Sequence, residues 1–334
     1  MGVIILSTIV VTGGAGFIGS HLCEALLRRG DKVINIDNFN DFYDPQIKKD
    51  NVKETIEYIK KNNIAPSMYI VKEGDIRDLE FLRSVFEEHA VDAIVHLAAY
   101  AGVRPSIQNP VLYTSVNING TVNMLEICKE FSIKNFVFAS SSSVYGNNKK
   151  VPFSEDDIVD YPISPYAATK KAGELMCHTY HTLYDINVAC LRFFTVYGPR
   201  QRPDLAIHKF TRLITEGKSI PYYGDGTTER DYTYIDDIID GITKAISWAG
   251  EGNGKFEVFN LGESNTISLS RMVKTIQETT GKKANLDRLP MQPGDVDRTN
   301  ADITKAKQIL GYNPTMDFEE GIKKFANWFY KNKT

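Results

Sequence analysis

Residues Thr12–Leu22 read TGGAGFIGSHL, with Gly13, Gly16 and Gly19 evenly spaced between a β-branched run, TIVV (Thr8–Val11), and an amphipathic stretch, HLCEALLRRG (His21–Gly30). Glycine lets the backbone turn tightly and approach a pyrophosphate, whose charge then meets the N-terminus of the following helix. Glycines at this spacing also occur at ordinary turns. The position of these three, opening the first strand–turn–helix unit, is what makes the motif a dinucleotide-binding expectation. The chain continues in the same rhythm: KVINID (Lys32–Asp37), MYIVKEGD (Met68–Asp75), DAIVHLAA (Asp92–Ala99) and NFVFASS (Asn135–Ser141) are apolar runs. Amphipathic stretches such as LEFLRSVFEEH (Leu79–His89) and VNMLEICKEF (Val122–Phe131) separate them. That alternation builds parallel strands with helices on both faces, so the expected fold class is α/β, a doubly wound parallel sheet.

The pattern changes after Pro199. Pro, Tyr, Asp and Gly become frequent through YYGDGTTERDYTYIDD (Tyr222–Asp237), which reads as a smaller, loop-rich α/β part that binds substrate, with helices such as SRMVKTIQETTG (Ser270–Gly281). We therefore expect a cofactor domain over residues 1–195 and a substrate domain over 196–334. Their boundary is interleaved, because FEVFNLG (Phe256–Gly262) again reads as a strand able to return to the main sheet.

Composition narrows the function. A chain of 334 residues that is 42% apolar can bury a large core. Its 39 Lys and Arg against 42 Asp and Glu give a net charge of −3, which offers no nucleic-acid-binding surface. The apolar opening MGVIIL lacks a basic n-region, a cleavage site and the myristoylation pattern, and no segment reaches the roughly 20 apolar residues that span a bilayer. Cys23, Cys128, Cys177 and Cys190 are widely spaced without a CxxC pair, as expected of reduced core thiols in a cytoplasmic protein, and no metal site is expected.

Asp37 ends the second strand about 20 residues beyond the glycines, where a carboxylate accepts hydrogen bonds from the adenosine ribose hydroxyls. It would repel a 2′-phosphate, which favours NAD over NADP. Asp75 ends a later strand, where it either contacts the adenine or caps the next helix. Ala98 and Ala99 end the strand after that, small enough to leave the cofactor room. The expected cofactor set is Gly13, Gly16, Phe17, Ile18, Gly19, Asp37, Asn38, Asp75, Ile76, Leu97, Ala98 and Ala99, joined by Tyr166 and Lys170.

Those last two residues come from SPYAATKKAGEL (Ser164–Leu175), a helical pattern that puts Tyr166 and Lys170 on one face, four residues apart. A free phenol has a pKa near 10, and an adjacent ammonium favours the phenolate, a usable base. On its own the YxxxK pattern more often marks an exposed helix face. Behind a dinucleotide fingerprint it reads as catalytic.

With these motifs in hand, the chain resembles the extended short-chain dehydrogenases/reductases of the nucleotide-sugar epimerase and dehydratase group. The resemblance runs through TGGAGFIGSHL, DNFNDFYDP, HLAAYAGVRPS, NPVLYTSVNINGT, SSSSVYG, YAATK and GDGTTERDYTYIDD, over nearly the whole length. It implies a Rossmann fold, bound NAD, a UDP-sugar substrate, and a catalytic set of Ser141, Tyr166 and Lys170. It further implies a homodimer formed through a four-helix bundle of the helices near 111–131 and 166–184. Ser140 is expected to line the cofactor side.

The resemblance also implies oxidation of the sugar at C4, and the neighbouring residues then select the outcome. The group's 4,6-dehydratases carry an Asp and a Glu ahead of VYG, and its decarboxylases a Glu; this chain has Ser142 and Ser143. AGVRPSIQNPVLY (Ala101–Tyr113) and FFTVYGPRQRPDLA (Phe193–Ala206) resemble the UDP-glucuronate 4-epimerases, whereas galactose epimerases show an Asn-containing motif at FFT. By that resemblance Thr195, Ser142 and Ser143 hold the sugar carboxylate, while Arg230, Asp295 and Arg298 bind the UDP end. Arg104 and Arg202 are assigned as further substrate contacts. The alternatives are a UDP-glucose or relaxed-specificity epimerase, a UDP-glucuronate decarboxylase, and a silent NAD-binding regulator.

Overall fold

The computed structural model describes residues 7–290 and 298–332, so Asp295 lies outside the described residues. The chain divides into two compact units, the first formed by Met1–Gly146, Ile158–Arg192 and Ile239–Phe259, the second by Asn147–Asp157, Phe193–Ile238 and Asn260–Thr334.

In the first unit the β-branched runs become strands β1 (Thr8–Thr12), β2 (Lys32–Asp37), β3 (Tyr69–Glu73), β4 (Ala93–His96), β5 (Asn135–Ser141) and β6 (Asn187–Phe193). The later strand Phe256–Leu261 joins them as an edge strand beside β6, and the order from the other edge is β3-β2-β1-β4-β5-β6. Pairing is parallel from β3 through β5. The order reverses between β1 and β4, and it is outside the carboxyl ends of such strands that an open α/β sheet binds ligands. The helices of this half are α1 (Phe17–Arg29), α2 (Pro45–Lys61), α3 (Leu79–Glu88), α4 (Val103–Gln108), α5 (Pro110–Thr114), α6 (Gly120–Glu130) and α7 (Pro165–Tyr184). Val10, Ile34, Ile94, Phe136 and Val188 are fully buried at the centre of the core. Covered on both sides, β1, β2, β4, β5 and β6 are buried almost continuously, whereas the edge strand β3 is exposed at alternate residues. Cys23, Cys128, Cys177 and Cys190 are buried free thiols.

One local feature was not visible in the periodicity. Between α5 and α6 the residues Ser115–Asn119 widen into a π-helical turn. Such bulges collect at functional sites, and this one carries the buried Asn117.

In the second unit β7 (Thr195–Tyr197), β8 (Ser219–Tyr223) and β9 (Glu229–Tyr234) precede the returning β10 (Phe256–Leu261), with β11 (Thr266–Ser268) and β12 (Asn285–Leu289) after it. β9 lies between β7 and β11, and β8 pairs with β12. Helices α8 (Ala206–Thr215), α10 (Leu269–Thr280), α11 (Thr304–Leu310) and α12 (Phe318–Lys331) belong here, while α9 (Ile235–Gly250) runs from this unit into the first. Asp231, on β9, is the polar knot of this unit. Fully buried, it accepts hydrogen bonds from the backbone N–H of Glu263 at 2.7 Å, Ser264 at 3.0 Å and Ala301 at 3.0 Å, and from the Thr233 hydroxyl at 3.2 Å. Burial pushes its pKa up to about 6, against the pull of those donors. Asp231→Asn would turn an amide donor toward backbone donors, so we expect a loss of about 3 kcal/mol. The check is a lowered melting temperature at pH 7; an unchanged one would show that the carboxylate does not tie these segments together.

Candidate active site

The glycine turn is forced by close approach. Gly13 has φ +72°, and a Cβ placed there would come within 2.9 Å of the Ala98 nitrogen. A Cβ on Gly19 would sit 2.1 Å from the Gly13 carbonyl oxygen, so only glycine lets α1 start directly on the turn. Gly16 caps α1 with backbone alone: no side chain caps its first turn and no acid stands in it. The N–H groups of Phe17, Ile18 and their neighbours, with the positive end of the helix dipole, are thus suited to a phosphate.

Asp37 ends β2 and is buried, accepting from Ala15 N–H at 3.2 Å and Phe39 N–H at 2.9 Å. Burial raises its pKa, while the Lys48 ammonium and those amides oppose the rise. Asn38 donates to Asp75 at 2.9 Å, and the hydrogen-bonded Arg77 guanidinium holds the Asp75 carboxyl down at about 2. The cap of α3 is Asp78, which accepts from Phe81 N–H at 3.0 Å, so of the two roles weighed for Asp75 capping belongs to its neighbour. Ile76 packs under Gly120, where a Cβ would meet it at 2.4 Å. Leu97, Ala98 and Ala99 follow β4, and Ala98 N–H donates to the Thr12 hydroxyl at 3.2 Å. A cradle that excludes Cβ atoms, an uncapped helix end and a carboxylate at the end of β2 fit a dinucleotide such as NAD.

The second cluster lies where β5 meets α7. Ser164 caps α7 by accepting from Ala167 N–H at 3.2 Å, and Pro165 opens the helix, which sets Tyr166 in its first turn and Lys170 one turn on. The Lys170 ammonium is buried, donates to the Ala139 carbonyl at 2.7 Å, and stands 6.0 Å from the centroid of the Tyr166 ring. Burial lowers its pKa from 10.5 to about 8. β5 ends at Ser141, whose hydroxyl accepts from Ser143 N–H at 3.2 Å and donates to the Ser143 hydroxyl at 3.1 Å. The serine run is thus a strand end folded into a short 3-10 turn, Ser142–Tyr145. Ser140, expected on the cofactor side, is buried and its hydroxyl donates to Glu174 at 2.6 Å.

Two supporting networks escaped the sequence reading. In the first, the ring of buried His96 bonds the Thr12 hydroxyl at 2.7 Å and the Thr121 hydroxyl at 3.1 Å, and the latter donates to the Asn117 carbonyl at 2.7 Å. Burial drops the His96 pKa to about 3, so the ring is neutral. The Asn117 side chain then accepts from Tyr100 N–H at 2.8 Å and donates to the Tyr100 carbonyl at 2.9 Å and the Thr169 hydroxyl at 3.0 Å. This chain ties the end of β4 to α7, next to Lys170. In the second network Arg192, buried on β6, grips Glu174 through two bonds of 2.9 Å and donates to the Tyr145 hydroxyl at 3.0 Å. A lone Arg inside the apolar run NVACLRFF, and a Glu one turn beyond Lys170, were the signals available.

The remaining assigned residues lie on α4 and in the second unit. Arg104 is exposed on α4. In the second unit Thr195 begins β7, Arg202 pairs with Asp204 at 2.7 Å, Arg230 donates to the Glu229 carbonyl at 2.9 Å, and Arg298 pairs with Glu229 at 2.9 Å. Among the described residues, no group of three or more His, Cys, Asp or Glu could hold a metal ion, and no helix is long and apolar enough to cross a membrane.

Comparison with known proteins agrees with this geometry. The family profile described as GDP-mannose 4,6 dehydratase matches residues 10–325. UDP-glucuronate 4-epimerase 4 of Arabidopsis thaliana is 46% identical over 337 residues, covering 96% of this chain and 75% of its own length. The UDP-glucuronate 4-epimerase of Thermodesulfobacterium geofontis is 43% identical over 325 residues, covering 97% and 96%. The crystal structure of UDP-glucuronic acid 4-epimerase from Bacillus cereus, in complex with UDP-glucuronic acid and NAD, superimposes with a TM-score of 0.87 at 37% identity, covering 97% of this chain and 99% of that one. With its glycine cradle, its Tyr166–Lys170 helix and a match over nearly its full length, the chain belongs to the GDP-mannose 4,6 dehydratase family of extended short-chain dehydrogenases/reductases.

Proposed function

We propose that this chain is a UDP-glucuronate 4-epimerase, an NAD-dependent enzyme that interconverts UDP-glucuronate and UDP-galacturonate through a 4-keto intermediate. The observation that carries the reaction type is the floor at the end of β5. It carries Ser141, Ser142 and Ser143, and Glu174, the carboxylate that accepts from the Ser140 hydroxyl, is held by Arg192. Eliminating water from the intermediate needs an acid and a base, and a charge-paired Glu174 supplies neither. The relatives named UDP-glucuronate 4-epimerase, at 43% and 46% identity, support the uronate as substrate.

NAD, when bound, supplies a reversible hydride acceptor for C4. Tyr166 Oη takes the O4 proton and later returns it, and the Lys170 ammonium favours the phenolate that does so. Ser141 Oγ hydrogen-bonds O4 and fixes its direction. Ser142 and Ser143 offer neutral donors to the sugar carboxylate. A uronate oxidised at C4 is a β-keto acid, which loses CO₂ when its C5–C6 bond aligns with the carbonyl π system, and pinning the carboxylate holds that bond out of alignment. Thr195 is assigned the same role, and Arg104, Arg202, Arg230, Asp295 and Arg298 stand as further substrate contacts on the resemblance of their motifs.

We further infer a cytoplasmic homodimer. Leu175 and Leu183 lie on one face of α7, 56% and 63% exposed, and Val111 at the start of α5 is 78% exposed. A second copy of these helices would cover that face in a four-helix bundle.

The substrate assignment is tested by NMR of the products formed from UDP-glucuronate, where UDP-galacturonate is expected and UDP-xylose or no product would overturn it. The pinning idea predicts that Ser142→Ala and Thr195→Ala release more CO₂ and UDP-4-keto-pentose than the parent; background release in both would refute it. For Lys170 the folded pKa lies below the unfolded one, so its contribution to stability is present above 10.5 and lost as pH falls through about 8. Lys170→Met should therefore lower kcat by at least about 100-fold without lowering the melting temperature at pH 7; a variant that keeps its activity would remove Lys170 from the chemistry. Light scattering should give a dimer for the parent and a monomer for the Leu175→Glu, Leu183→Glu variant, and a monomeric parent at micromolar concentration would count against the bundle.

A further inference from the structure

The Glu174–Arg192 pair is placed unusually for a structural ion pair, because it grips the strand end on both sides of the serine floor. On one side Glu174 accepts from the Ser140 hydroxyl at 2.6 Å. On the other, Arg192 donates to the Tyr145 hydroxyl at 3.0 Å and its guanidinium lies 4.9 Å from the centroid of that ring. Between these two anchors are Ser141, Ser142 and Ser143. The pair itself is bidentate, with both side chains 3% exposed, and the Lys171 ammonium stands 3.8 Å from Glu174. Glu174 also follows Lys170 by one helical turn, so α7 holds β5 at successive residues: Lys170 at the Ala139 carbonyl and Glu174 at the Ser140 hydroxyl.

We infer that Glu174 and Arg192 are positioning residues that fix the serine floor against Tyr166 and Lys170, and that they thereby keep the 4-keto intermediate on the epimerising course. The inference rests on the function proposed above. Its physical basis is that Ser141, the last residue of β5, caps the short 3-10 turn Ser142–Tyr145 through hydrogen bonds that run only to Ser143, so the place where strand passes into turn is located by what holds Ser140 before it and Tyr145 at its end. A bidentate guanidinium–carboxylate pair has fixed directions that a single hydroxyl contact lacks. Displacements of about 1 Å at reacting groups cost up to about 100-fold in rate.

The test uses three variants of the NAD-loaded enzyme. Glu174→Leu with Arg192→Met removes both charges together, a replacement that buried pairs often tolerate without loss of stability. Tyr145→Phe and Ser140→Ala each release one anchor and leave the pair intact, so they carry the test if the double variant fails to fold. Four quantities are read: melting temperature, bound NAD, the kcat–KM split, and the share of turnovers that end in CO₂, UDP-4-keto-pentose and reduced cofactor. We expect folded protein with parental NAD content and a KM within about threefold of the parent, kcat about tenfold lower in the double variant, and a larger leaked share in all three. Parental kcat and leakage in folded variants would overturn the inference, as would activity that falls only in step with the melting temperature. Hydrogen exchange of the peptide covering 139–146 should quicken locally whatever the substrate, and unchanged exchange there would also overturn it. A wrong substrate shows in the parent enzyme, whereas a wrong positioning role shows only in the ratio of variant to parent and in this exchange.

Discussion

The candidate site is organised around one ammonium kept out of water. Lys170 is buried against the end of β5, held by the Ala139 carbonyl, and its pKa falls from 10.5 to about 8, equivalent to about 3 kcal/mol of lost solvation. A helix that served packing alone would place an apolar residue there. Its surroundings are arranged to keep the charge in place: Ser164 and Pro165 set the register of α7, Phe138 lies under the ammonium at 5.2 Å, and Asn117 braces the helix through Thr169. The stability given up at this position is the kind of local cost that active sites carry and the rest of the fold offsets.

The same economy explains the rest of the first unit. The glycine turn excludes side chains so that backbone donors are left for a phosphate, and α1 forgoes a capping side chain. At the opposite end of the chemistry, the serine floor carries hydroxyls while the carboxylate bonded to Ser140, Glu174, is committed to a guanidinium. Reaction outcome in this architecture is governed as much by the acids withheld as by the base supplied. A keto intermediate that meets neither a free acid nor a free base is not driven to dehydration, and with its carboxylate held it takes its hydrogen back.

Much of this was legible in the sequence, for identifiable reasons. Gly13, Asp37, Tyr166 and Lys170 are local patterns: each motif sits within one strand–turn–helix step, and spacing alone sets its geometry. The continuous apolar strands and the α7 register were readable for the same cause. What could not be read depends on contacts between segments far apart in the chain. His96 looks like a stray polar residue at a strand end until Thr12 and Thr121 meet it, and Asn117 is unremarkable without the π-turn that aims it. The partner of Ser140, Glu174, lies 34 residues away, so no local pattern marks that bond. Asp231 was passed over for its neighbour Arg230, since nothing local marks the three backbone donors that converge on it.

The central claim is that the hydrogen removed from C4 returns to the same carbon on its opposite face within one residence on the enzyme. UDP-glucuronate deuterated at C4, incubated in ordinary water with the purified protein and no added NAD, tests it directly. Full retention of deuterium at C4 of UDP-galacturonate is the expected result. A C4 proton from solvent in the product would contradict it.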